Sequence, residues 1–164
     1  MTEAVPIGEI DAAEFGRIWP IMQAVIASGD TYNYRADLDF ATACTMGTAP
    51  PVRCFIAEQD GRVLGFYKLR PNQPGLGDHV ANASYMVSAD ARGHGIASIL
   101  CEHSLQQARD AGFTAMQFNF VASTNTVAVR LWQRHGFAIV GQVSGAFRHV
   151  LLGPTDIYVM HRSL

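Results

Sequence analysis

The 164-residue sequence predicts a mixed α/β layer fold in a single domain, residues 1–164. Three features point to it. Apolar residues recur at helical spacing over residues 11–27, then give way to strand-like runs from residue 52. Beyond residue 80, strand-like and helical segments alternate twice before two closing strands. A glycine-rich turn, Arg92-Gly93-His94-Gly95-Ile96-Ala97, stands between a strand-like run at 83–87 and an amphipathic run at 96–111.

Each element has a local cause. Phe15, Ile18, Trp19, Met22, Val25 and Ile26 form the first helical stripe, with Asp11 placed to cap it and Gly29 to stop it. Pro20 lacks an N–H and should kink or divide this helix. A polar-aromatic segment at 29–34 follows, then a short helix at 37–46 that Pro50-Pro51 ends. Residues 52–57 and 62–69 flank Asp60-Gly61, a strong hairpin signal. Residues 71–78 read as a loop, 80–87 as a strand, and 96–111 as a helix stopped by Gly112. Met116, Phe118 and Phe120 mark one face of a buried strand at 114–121. Residues 124–135 read as a helix with Gly136 as its stop. Strands at 137–143 and 157–160 close the chain, joined by a long loop through Phe147, Arg148 and His149.

Composition removes several function classes. With 49% hydrophobic residues the chain can bury a core, and a formal charge of −2 gives no reason to expect a nucleic-acid partner. No apolar run approaches the ~18 residues needed to cross a bilayer, and the first residues lack a leader pattern, so no membrane association and a cytoplasmic location are expected. Cys44, Cys54 and Cys101 are odd in number, without metal-ligand spacing, and read as reduced, buried thiols. His103 and His135 also lack ligand spacing, so no metal is expected.

A turn that leaves a strand and opens a helix aims main-chain N–H groups outward from the positive end of the helix dipole, a geometry that binds phosphate. The turn lacks both the Gly-Lys-Ser/Thr of a Walker loop and the third glycine of a dinucleotide fold. Downstream stands a second pattern, Asn125-x-x-Ala128-x-x-Leu131-Trp132-x-x-x-Gly136-Phe137. Val87 to Ala97 followed by this pattern resembles the GNAT N-acetyltransferase superfamily, in which a strand, Arg/Gln-x-x-Gly-x-Gly/Ala and a helix hold acyl-CoA.

The resemblance implies a central, mostly antiparallel sheet with a splayed central strand pair and helices on both faces. It also implies an enzyme moving an acetyl group from acetyl-CoA, the cosubstrate, to the amine of a small molecule by direct transfer in a ternary complex. A homodimer is a further family expectation. A non-catalytic acyl-CoA-binding module stays open, because Trp132 stands where the family commonly has a tyrosine that protonates the leaving thiolate. An indole N–H is not acidic enough for that.

By the same resemblance, the N–H groups of Gly93, His94, Gly95, Ile96 and Ala97 would cradle the CoA diphosphate. Arg92 would add charge there or stay solvated. The main chain of Tyr85, Met86 and Val87 would pair with the pantetheine arm as an added strand, with an N–H near Tyr85 as oxyanion donor. Asn125 would bond the arm or cap its helix, and Ala128 and Trp132 belong to the same cofactor-binding pattern. The thiolate proton would come from water, from the substrate ammonium, or from Tyr32, Tyr34 or Tyr85. Glu58 and His79 are candidate bases. Residues 118–125 and 131–132 are also similar to a branch acetylating proline analogues such as azetidine-2-carboxylate. That likeness assigns Asn82 and Asn119 to the acceptor, with Asn119 close to the chemistry. Tyr32, Asn33 and Tyr34 would line the acceptor pocket, and Arg148 would pair with a substrate carboxylate or remain solvated.

Overall fold

The computed structural model describes residues 4–164. Among them, seven strands form a sheet: β1 (Ile7–Ile10), β2 (Arg53–Gln59), β3 (Arg62–Pro71), β4 (Val80–Val87), β5 (Ala115–Ala122), β6 (Ala138–His149) and β7 (Gly153–Ser163). Their spatial order is β1-β2-β3-β4-β5-β7-β6. Neighbours are antiparallel except β4 and β5, which are parallel.

Four helices cover the sheet: α1 (Trp19–Ser28), α2 (Phe40–Thr48), α3 (Ile96–Asp110) and α4 (Thr126–Arg134). The run Cys54-Phe55-Ile56-Ala57 sends alternate side chains to opposite faces, as period-two geometry requires. Phe55, Tyr67, Leu69 and Tyr85 pack with Leu100, Leu105, Leu131 and Trp132 on the α3–α4 face. Cys54, Ile56, Phe66 and Met86 pack with Phe15, Ile18, Met22 and Ala43 on the other. Two buried faces explain why the central strands read as continuous apolar runs. Burial pushes the Cys54 and Cys101 thiols up to about 12, while Cys44 is only half-buried.

The first helical stripe is divided, not kinked. A 3-10 segment over Ala12–Arg17 is capped by Asp11, whose carboxylate accepts from Ala13 N at 2.8 Å; α1 then starts afresh with Pro20 in its first turn, where no N–H is missed. Gly29 ends α1 at φ 63°. The second helix begins at Phe40, later than the spacing predicts, because the Asp39 carboxylate accepts from Thr42 N at 2.8 Å and fixes the start there.

Two expectations are corrected. β1 is an additional edge strand, and residues 147–149 are not a loop. β6 runs on to His149 and pairs with β7 through Phe147↔Thr155 and Arg148↔Pro154. Gly141, Ser144 and Gly145 sit where β6 slips register against β7, so the strand bulges and continues. At the hairpin tip Val150 N donates to Gly29 O at 3.1 Å, tying the tip to the end of α1.

The feature that positions the site is the meeting of β4 and β5. They pair at Val80↔Ala115 and Ala81↔Met116, and then part. At the fork the Asn82 side chain donates to Gln117 O at 2.9 Å, replacing the main-chain bond the ladder gives up. The opposite edge of β4 stays fully zipped to β3 from Pro71↔Ala81 to Gly65↔Val87. Gly65 there faces main chain: an added Cβ would meet Met86 O at 2.8 Å. Gly65→Val should therefore destabilise the fold by about 1–3 kcal/mol through overpacking, read as a lowered urea midpoint at unchanged slope.

Candidate active site

Beyond the fork lies a cleft of about 1240 Å³, lined by β4, β5, the start of α3, α4 and the segment between α1 and α2. Its floor follows from ladder arithmetic. Ser88 N donates to Leu64 O and Asn72 N to Val80 O, so the even-numbered residues of β4 engage β3. Ala83, Tyr85 and Val87 thus turn their N–H and C=O toward β5, which has withdrawn. Main-chain groups in such a place need partners. Tyr85 has found one in Tyr32, whose hydroxyl donates to Tyr85 O at 2.5 Å and accepts from Tyr85 N at 3.0 Å.

At the other end sits the glycine turn. Gly93 and Gly95 both hold φ 79°, and among the described residues nothing lies within 4 Å of where a Cβ would project. Such a φ is cheap for glycine and costly for branched residues. α3 then starts at Ile96 with no described side chain capping it, so its first N–H groups stay available to an anion. Arg92, Gly93, Gly95, Ile96 and Ala97 line the cleft, with His94 exposed on the same turn. Uncapped donors, open space above two glycines and an unzipped strand edge fit a diphosphate joined to an extended amide-bearing arm.

Between these ends the cleft wall is aromatic. The Tyr85 ring packs on Trp132 at 4.8 Å and edge-on to Phe118 at 5.9 Å, and Phe118 stacks on Phe137 at 4.3 Å. Trp132 is nine-tenths buried and acts as packing. The Tyr85 hydroxyl points away from the cleft. Ser104 Oγ spends its hydrogen on Cys101 O at 2.7 Å, so Tyr85 donates to Ser104 Oγ at 2.7 Å. Burial holds that phenol well above the usual tyrosine range. Tyr85 therefore offers its main chain to the cleft and has no acid to give. Asn125 caps α4, its Oδ1 accepting from Ala128 N at 3.3 Å, and both residues also line the cleft.

The end of the cleft beside the α1–α2 segment contains a residue the sequence did not single out. Lys68 of β3 is only 8% exposed, yet lines the cleft and among the described residues forms no ion pair. Its ammonium donates to Tyr34 Oη at 2.8 Å and lies 5.2 Å from that ring's centre. A lysine inside the otherwise buried run Phe66-Tyr67-Lys68-Leu69 was the available signal. Arg70, Arg92 and Arg134 add positive charge to the lining, against one carboxylate there, Asp30, among the described residues.

The other assigned residues fall in several places. Tyr32, Asn33 and Tyr34 line the cleft together, as do Asn82 and Asn119. Asn119 is not enclosed by its apolar neighbours. It lies opposite Phe118, exposed, donating to Asn72 Oδ1 at 2.6 Å and accepting from Gln117 Nε2 at 3.0 Å, where β5 carries one extra residue between Phe118 and Val121. Met86 and Val87 line the cleft beside Tyr85. Arg148 is exposed on β6, away from this lining. Glu58 pairs with Arg17 in a groove by β1, and His79 is exposed just before β4; neither lines the cleft. Among the described residues no group of His, Cys, Asp or Glu is placed to hold a metal ion, and no helix is long and apolar enough to cross a membrane.

Comparison with known proteins agrees with this geometry. The chain is 40% identical to a GCN5-related N-acetyltransferase from Kribbella flavida, with a TM-score of 0.94 and full coverage of both chains. It is 36% identical over 86 residues to an N-acetyltransferase of Schizosaccharomyces pombe, covering 52% of this chain and 41% of that protein. The chain spans less than half the length of the curated relatives it matches. A phosphinothricin acetyltransferase from Sinorhizobium meliloti, solved with acetyl-CoA, shares the fold at 18% identity and a TM-score of 0.86, covering 99% of this chain and 89% of its own. The model of the acetyltransferase (GNAT) family matches residues 18–137, including the fork, the glycine turn and α4, and the chain belongs to that family.

Proposed function

We propose that this protein is an acetyl-CoA-dependent N-acetyltransferase acting on the amine of a small, anionic, amino-acid-like molecule, by direct transfer with both substrates bound in one domain. The observation that carries the proposal is the fork. Beyond Ala81 the β4 edge is unpaired with β5, with only the Tyr32 hydroxyl covering it at Tyr85, and the same cleft holds an uncapped helix N-terminus.

Bound acetyl-CoA supplies a thioester whose carbonyl carbon is open to an amine. The chain's part is to hold and polarise. N–H groups from Gly93 to Ala97 bind the diphosphate, Arg92 adds charge, and the β4 edge takes the pantetheine amides as a further strand. In the balanced reaction the amine nitrogen bonds the acyl carbon, the carbon–sulfur bond breaks, and the nitrogen's proton leaves with sulfur as thiol. Tyr85 N–H faces the place where negative charge gathers on oxygen. One such donor is typically worth about 2.7–4 kcal/mol.

Lys68 supports the acceptor class. A nearly buried ammonium facing a ligand cleft without a carboxylate partner is matched by an anionic group on the ligand. The same positive lining disfavours a second cation, lowering the pKa of a bound ammonium from its reference of about 8. The cleft thereby favours the neutral, attacking form of the amine without a dedicated base. Asn82 at the fork and Asn119 at the rim are positioned to contact such a molecule, in keeping with the similarity to the branch that acetylates proline analogues. The packing of Trp132 favours one competing reading, an acyl-CoA-binding module without turnover.

An amine panel including azetidine-2-carboxylate, hydroxyproline, phosphinothricin and polyamines separates these readings. Release of CoA with the amino acids is expected; calorimetric binding of acetyl-CoA without release from any amine would favour the module. Gly95→Val should weaken CoA binding about 10-fold or more by calorimetry, since a branched residue at φ 79° is strained by about 1–3 kcal/mol. Lys68→Met should raise KM for the amino-acid acceptor about 10- to 100-fold, the loss of one charge-assisted hydrogen bond. KM for acetyl-CoA should stay within twofold.

A further inference from the structure

The Tyr32 hydroxyl engages both main-chain groups of Tyr85 on its β5-facing edge, accepting its N–H and donating to its C=O. Among the described residues β4 pairs with β5 only at Val80↔Ala115 and Ala81↔Met116, and the segment between α1 and α2 brings the Tyr32 phenol oxygen to the edge beyond. We propose that Tyr32 is a catalytic oxyanion donor, yielding the Tyr85 N–H to the thioester oxygen and turning its own O–H onto that same oxygen. The inference rests on the acetyltransferase reading and names a second donor for it.

The argument is geometric. One N–H serves one strong acceptor, so an oxygen arriving at Tyr85 N must displace the phenol oxygen now 3.0 Å away. The phenol can shift aside without leaving, because the neighbouring Tyr34 ring, 5.9 Å away, is held by Lys68 and keeps this segment at the cleft. Its hydrogen rotates freely about the C–O bond and finds the new oxygen beside it. Two donors then converge on one oxygen as the nitrogen–carbon bond forms and the carbonyl electron pair moves onto oxygen. The charge returns when the carbon–sulfur bond breaks. Tyr32 stays protonated throughout, and burial, which raises its pKa, keeps it a donor. This is the role left to a tyrosine in a cleft where Trp132 cannot supply a proton and the Tyr85 hydroxyl is committed to Ser104.

Tyr32→Phe tests the proposal. The expected result is a fall in kcat of about 10²- to 10³-fold, with KM for acetyl-CoA and for the acceptor within threefold. Retention of kcat within threefold would overturn it. A second measurement does not depend on how Tyr32→Phe folds. With 3-fluorotyrosine at position 32 alone, the fluorine resonance should shift on adding acetyl-CoA and stay put with CoA, which lacks the acyl oxygen. Equal shifts with both ligands would point to the thiol instead and overturn the assignment. Calorimetry on the unaltered protein separates this failure from a deeper one: absence of acetyl-CoA binding would remove the acetyltransferase reading itself, and the donor role with it.

Discussion

Strands β4 and β5 cannot satisfy each other's main chain once they separate, and the rest of the structure is arranged around that deficit. A sheet interior normally spends every N–H and C=O on a neighbour. Here the ladder stops after Val80↔Ala115 and Ala81↔Met116, and β4 is left with a half-empty edge. Different groups meet the deficit along its length. The Asn82 amide bridges the fork, the Tyr32 hydroxyl covers Tyr85, and an extended ligand with amide groups would complete the remainder. Binding of that ligand is thus a continuation of folding by the same kind of bond.

Keeping such a wedge open costs packing on both sides, and the aromatic residues offset it. Tyr85, Phe118, Trp132 and Phe137 fill the angle between the separating strands from the α3–α4 face. On the opposite face Tyr34 and Lys68 brace each other above β3. The fork is held open by bulk from one side and by a cation under an aromatic ring from the other. The α1–α2 segment is in turn fastened by the bond between Val150 and Gly29 at the β6–β7 tip. On the proposed function, acceptor and cosubstrate would therefore share a scaffold, with the Tyr85 main chain as their common point.

Much of this was legible in the residues because it follows from local rules. Asp11, Pro20 and Gly29 placed and divided the first helix; Asp60-Gly61 placed the hairpin; the glycines of the turn and Asn125 marked the starts of α3 and α4. What escaped was non-local. β1 is four residues long and gains its meaning only from pairing with β2. Residues 144–149 read as the start of a loop, yet they continue β6, because a register slip between Val143 and Phe147 absorbs the irregular stretch against β7. The bulge after Phe118 is invisible in a run of alternating residues; its extra residue puts Val121, and not Phe120, into the α3–α4 core with Phe118. Lys68 was hidden for another reason. A single lysine in a strand usually means an exposed edge, and only the tertiary arrangement shows it turned into a cavity.

The state of the cysteines has a practical side. Cys54 and Cys101 are sealed in the two cores with thiols held at about 12, so disulfide dyes should find neither in the native protein. Cys44, half-buried on α2, remains the one sulfhydryl within reach of such a reagent. A colorimetric reading of liberated coenzyme would then carry a background of at most one equivalent per chain. A sudden rise to three would report that the sample had unfolded in the cuvette.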